Sequence, residues 1–151
     1  MALTVLEKLQ DIAFLQSIEI NRYALPERLR GLYFEENSYR TITINTSVDT
    51  EAEEVDIMAE EISHSVVGGG DLLFNNKIDE VIKRKAELRS KNNAYNLVVP
   101  AKKLLYYLKQ QLELWEIAEE FSCTEKFVSE AIEAYKCKGL IPQFIDCEYY
   151  L

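Results

Sequence analysis

The chain has 151 residues, enough for one domain with a real core. Hydrophobic residues make up 48% and charged ones 28%, which excludes a disordered chain. The formal net charge of −9 argues against nucleic acid or an anionic membrane as a partner, since such a surface repels a polyanion.

Basic clusters do occur, at Lys83-Arg84-Lys85, Arg89-Ser90-Lys91 and Lys102-Lys103, and they read as solvated helix faces. Cys123, Cys137 and Cys147 are odd in number and widely spaced, with no C-x-x-C pair. That supports neither a cysteine zinc site nor a disulfide framework, and they read as small buried hydrophobes in a reducing compartment. No basic stretch followed by an apolar run opens the chain, and no apolar segment reaches transmembrane length. The expected location is the cytoplasm, with no membrane partner.

In chain order, Leu3 to about Gln16 is predicted helical, with Leu6, Leu9, Ile12 and Ala13 at helical spacing. Ser17 to Leu25 is predicted extended, and Pro26 ends it. Gly31 to Phe34 and Tyr39 to Asn45 are strand-like, joined by a hairpin loop over Glu35-Glu36-Asn37-Ser38. Ile42 and Ile44 alternate with Thr41, Thr43 and Asn45, predicting one inward and one outward face.

A helix starts near Thr50, where Thr50 and Glu53 fit a capping box. Gly68-Gly69-Gly70 ends it. Val55, Met58, Ala59, Ile62 and Val66 form its apolar stripe, and Glu53, Glu60 and His64 fall on another face. A second long helix runs from about Lys77 or Asp79 to Val98, limited by Pro100. Ala101 to Gln110 is a short helix with Leu104, Leu105 and Leu108 inward. Leu112 to Phe121 and Thr124 to Lys138 form a final pair, with Thr124 as an N-cap and Trp115, Phe121 and Phe127 read as core. The tail from Phe144 to Leu151 is apolar enough to pack on the body.

That final pair resembles a helix-turn-helix. Between Leu112 and Lys138, however, seven glutamates stand against three lysines. A DNA reader needs cationic or amide side chains there, so the pair reads as a packing or protein-docking module.

The single histidine closes the run Glu60-Glu61-Ile62-Ser63-His64. This is E-E-x-x-H, the zinc-peptidase signature H-E-x-x-H with its first histidine replaced by glutamate. Residues four apart share a helix face, so Glu60 and His64 can grip one ion. Glu61, beside them, can act as general base toward a water activated there. Glu87 is the choice for a third ligand, because a carboxylate on a packed helix face needs a cationic partner. The same residues also read as a solvated helix face, with Lys91 as the i,i+4 partner of Glu87; spacing alone leaves both open.

The order of these motifs resembles the ImmA/IrrE family of zinc metallopeptidases. Met58 to His64 is followed at the right distance by Glu87 to Pro100. Glu87 stands thirteen residues before the proline, Ala94 at a family alanine, and Leu97-Val98-Val99-Pro100 at the ending. Upstream, Leu25-Pro26, Arg28, Gly31-Leu32-Tyr33 and Ile42-Thr43-Ile44-Asn45 look like the strand region before the family's zinc helix. The family includes an E-E-x-x-H form, in members carried by phages and integrative elements.

The resemblance implies an α+β, mostly helical zincin-like core with a small antiparallel sheet and a C-terminal helical pair. Residues 1–110 would form the core and 111–151 the extension packed on it. It implies Zn²⁺ on Glu60, His64 and Glu87 with Glu61 catalytic, Mn²⁺ or Fe²⁺ being alternatives for so hard a ligand set. It further implies cleavage of a helix-turn-helix repressor, the substrate lying along an edge strand for which Tyr39 to Asn45 is the candidate. Tyr39 and Tyr95 are candidate oxyanion donors. The degenerate first ligand also raises a non-catalytic anti-repressor on the same scaffold.

Overall fold

The computed structural model describes residues 2–67, 80–143 and 145. Six helices and three strands occur among them: α1 (Val5–Leu15), β1 (Ile18–Tyr23), β2 (Gly31–Glu36), β3 (Tyr39–Asn45), α2 (Glu51–Val67), α3 (Glu80–Val98), α4 (Ala101–Lys109), α5 (Leu114–Phe121) and α6 (Glu125–Cys137). The mostly helical α+β class read from the sequence holds. The triple-glycine stop, the helix start read at Lys77 or Asp79, Cys147 and the C-terminal tail apart from Ile145 lie outside the described residues; Ile145 packs against the core.

The sheet is mixed rather than antiparallel. Its order is β1-β3-β2, with β1 parallel and β2 antiparallel to β3. Consequently Tyr39–Asn45, expected at an edge, is the central strand, and the open edges belong to β1 and β2. The reason is non-local. The β2–β3 hairpin uses one side of β3, and the segment after α1 returns to occupy the other. The hairpin loop is also shorter than expected. Asn37 and Ser38 alone make the turn, both with positive φ (49° and 69°), as a type I′ hairpin requires. Glu35 and Glu36 extend β2.

Double coverage explains why Thr41 and Asn45, read as outward-facing, are buried beside Ile42 and Ile44. Asn45 satisfies its amide internally. Its Nδ2 donates to the carbonyls of Leu29 (2.7 Å) and Leu25 (3.1 Å), which shapes the loop between β1 and β2.

α2 is the organising helix and packs on α1, β2, β3 and α3. Val55, Met58, Ala59 and Ile62 of its predicted stripe are buried, whereas Val66 is exposed at the far end of the helix. Where α2 meets α3 the facing residues are small: Ala59 and Ser63 against Ala86, Ser90 and Ala94, all buried. Small side chains let the two axes approach closely, and Asn93 Nδ2 donates to Ser63 Oγ (3.0 Å) across the seam.

The core is continuous from Leu9 to Ile141 and includes the last two helices. Leu114, Ile117, Ala118 and Phe121 take the inward positions of α5. Trp115 falls one residue off that stripe. It is therefore half exposed rather than core, its Nε1 donating to Glu113 Oε2 (3.1 Å). Cys123 is buried, but Cys137, in the last turn of α6, is exposed, correcting the reading of that cysteine as core.

One polar tie joins α6 to α2. Thr124 caps α6 by accepting from the Phe127 N–H (3.1 Å). Its own hydroxyl and N–H donate to the two carboxylate oxygens of Asp56, at 2.5 and 3.2 Å. Thr124→Val keeps the shape, removes the cap and orphans one Asp56 oxygen. The expected loss is about 1–2 kcal/mol in denaturant unfolding.

Candidate metal centre

The close α2–α3 seam carries the predicted donors to one place. His64 Nε2 lies 4.0 Å from Glu87 Oε2, with the side chains 13% and 40% exposed. No Glu87–Lys91 ion pair occurs among the described residues; Glu87 faces the imidazole instead. Two donors about 2.1 Å from one ion at the tetrahedral angle stand about 3.4 Å apart, so a shared ion would have to draw these two side chains closer together.

Glu60, Glu61, His64 and Glu87 line one cleft of about 360 Å³, together with Arg28, Arg30 and Gly31–Tyr33 from the β2 side. Glu61 points toward β2. A Cβ placed on Gly31 would sit 3.5 Å from Glu61 Oε1. The Glu61 carboxyl thus lies between the open edge strand and the His64–Glu87 pair. A general base belongs in such a position, within reach of both a substrate strand and an activated water.

The electrostatics suit a cation. Burial pushes the Glu60 carboxyl up to about 7, and the Asp56 charge pushes the same way. Burial, then Glu60, pushes Glu61 up to about 7, against a smaller downward pull from the Tyr33 backbone N–H. Burial lowers the His64 pKa despite Glu87, leaving a neutral imidazole, the form that binds metal.

Among the described residues no three His, Cys, Asp or Glu side chains converge closely enough to hold an ion as they stand. By donor type alone the set suits a divalent cation, with Glu60 one helical turn before His64 as the remaining donor; the side chains would have to close on it.

Two charged groups near the cluster were not among the site residues read from the sequence. Asp56, four residues before Glu60, adds its charge to the cluster, and burial raises it to about 6. Its i−4 spacing on the Glu60 face was the available signal. Arg28 reaches the cleft from a loop, where no periodicity marks it. The two tyrosines considered as oxyanion donors are engaged elsewhere. Tyr39 donates to Glu19 Oε2 (3.1 Å) on the sheet, and buried Tyr95 donates to Glu130 Oε2 (3.3 Å); neither lines the cleft.

A model of the Peptidase_M78 family, described as the IrrE N-terminal-like domain, matches residues 17–133. The chain belongs to that family. The match begins just before β1 and ends in α6, so this IrrE N-terminal-like domain contains the sheet, both site helices and the whole cleft. Comparison with curated proteins and with solved structures finds no match. No helix among the described residues is long and apolar enough to cross a membrane.

The carboxylate cluster gives this domain a pH signature when metal-free. Asp56 rises from 3.8 to about 6, and Glu60 and Glu61 from 4.5 to about 7, on folding. Groups with raised folded pKa values favour the fold fully below their unfolded values, and that contribution is lost as pH climbs through the folded ones. Between about pH 4 and 7, therefore, these three groups progressively weaken the metal-free fold. Glu60→Gln, which removes one of these charges and leaves the Asp56–Thr124 hydrogen bonds in place, is expected to raise the urea midpoint of the metal-free protein at pH 7.5 and to give little gain near pH 4.

Proposed function

We propose that this IrrE N-terminal-like domain is a zinc-dependent endopeptidase that cleaves a helix-turn-helix repressor. Glu60, His64 and Glu87 would hold the metal. The observation that carries the reading is the cleft itself: Glu87 reaches His64 from a separate helix, and Glu61 stands between them and β2. Zinc bound there would polarise the scissile carbonyl and lower the pKa of a bound water, less far than it does when held by neutral imidazoles.

The residues of the chain supply the rest. β2 offers an unpaired backbone edge on which an extended substrate segment can add as a strand. The Glu61 carboxylate takes the proton of the attacking water and returns it to the departing amine. Because a Glu/His/Glu set carries two negative charges, Mn²⁺ or Fe²⁺ would also be accommodated. The repressor as substrate is what kinship with ImmA/IrrE peptidases supports, and the reading places the reaction in the cytoplasm, away from membrane and DNA.

Purified protein incubated with a helix-turn-helix repressor that it recognises should yield two discrete fragments. Chelation should abolish them and added zinc restore them. Fragments formed equally well after chelation would refute the metal's role.

A second reading is favoured by Glu60 standing where the zinc signature has its first histidine, and by the lack of a converged three-donor group among the described residues. The domain would then inactivate its target by sequestration alone. It predicts a stable stoichiometric complex, no fragments, and indifference to chelation.

A further inference from the structure

Two arginines from the loop between β1 and β2 line the cleft, and they differ in one respect. Arg30 Nη2 is held by Glu53 Oε2 at 2.8 Å. Arg28 is exposed and, among the described residues, has no carboxylate partner. Arg28 thus stands at the exposed side of the cleft that Glu60, Glu61, His64 and Glu87 also line.

The loop that carries it is built to hold still. Asn45, 3% exposed, directs its Nδ2 at the carbonyls of Leu29 (2.7 Å), Leu25 (3.1 Å) and Pro26 (3.5 Å), and its Oδ1 accepts from the Leu25 N–H (3.4 Å). The Leu29 N–H closes a turn onto the Pro26 carbonyl at 2.8 Å, with Glu27 and Arg28 at its tip. β2 begins three residues after Arg28, so a fixed turn presents a free cation at the start of the open edge strand.

We infer that Arg28 is a specificity-determining residue: its guanidinium receives a carboxylate side chain of the substrate strand at a position flanking the scissile bond. The remainder of the cleft, with Glu60, Glu61 and Glu87, repels acidic peptide, so one unpaired fork carried on a fixed turn marks the place where an acidic residue is admitted. Guanidinium matches carboxylate bidentately, which a lysine cannot do. Asn45 acts as a positioning residue through the turn.

This inference rests on the peptidase reading, and the experiment separates the two. Zinc-loaded protein is given decapeptide pools in which one position is fixed as Glu, Lys or Ala, and the products are identified by mass spectrometry. At one position flanking the cut, wild type should prefer Glu over Lys by about tenfold, the discrimination of a hydrogen-bonded charge pair. Arg28→Glu should invert that preference through KM, with zinc content unchanged, and Arg28→Lys should keep its sign but reduce it. The best Glu-bearing peptide and its Lys counterpart, or the whole pools if nothing is cut, are also titrated onto Glu61→Gln with and without Arg28→Glu. Binding discrimination that survives there while wild type cuts nothing would fault the peptidase reading and spare Arg28. A preference that Arg28→Glu leaves in place, or the absence of any discrimination in both measurements, overturns the inference.

Discussion

Glu61→Gln is expected to keep the metal and lose the reaction. General-base catalysis contributes about 10²–10⁴-fold, and an amide cannot take the water's proton. The substitution is nearly isosteric, and Glu61 is a proposed base, not a ligand, so zinc content should match wild type. Stability should move the opposite way from activity. Burial and the Glu60 charge hold the folded Glu61 carboxyl at about 7, so the folded state resists charging it at neutral pH. A neutral glutamine relieves that resistance, and the melting temperature of the metal-free variant should rise. Lost cleavage in a more stable protein cannot be attributed to misfolding. Glu61→Gln that still cuts the repressor at the wild-type rate would remove Glu61 from the mechanism, and one that silences the repressor without cutting it would favour sequestration.

How much of this was legible beforehand depended on whether a feature was local. The E-E-x-x-H spacing on α2 is a statement about helical geometry, and Glu60, Glu61 and His64 do share one cleft. Glu87 was placed by its sequence distance from Pro100 and by its position on a packed helix. The small residues at the α2–α3 seam then deliver it to His64. Alternation in Thr41–Asn45 marked a strand, but not which strands would pair with it. That choice depends on where the chain returns after α1, and it makes β3 central and leaves β2 at an open edge. Trp115 misled because its size suggested core, whereas the inward stripe of α5 passes through Leu114 and Ile117, one residue to one side and two to the other. The Asp56–Thr124 tie spans 68 residues and has no local signature.

Gly31→Ala should damage cleavage more than it damages the fold. Gly31 opens β2 where the strand crosses α2, and a Cβ there would lie 2.4 Å from Ile57 Cγ2 and 3.4 Å from Glu61 Cγ. Ile57 is itself 7% exposed and packed in the core, so it cannot swing away freely. Overpacking of this kind costs about 1–3 kcal/mol, which urea unfolding would register. The strand must also lift from the helix. That separates the substrate edge from Glu61, and a displacement of about 1 Å is worth about 10²-fold in rate. Metal content should hold, because Glu60, His64 and Glu87 are on α2 and α3. The steric cause has its own check: Ile57→Ala removes the methyl that the new Cβ would strike. Gly31→Ala with Ile57→Ala should recover much of the rate even though the core is left with a smaller side chain. A single Gly31→Ala variant with unimpaired cleavage would show that the approach of β2 to Glu61 does not set the geometry of catalysis.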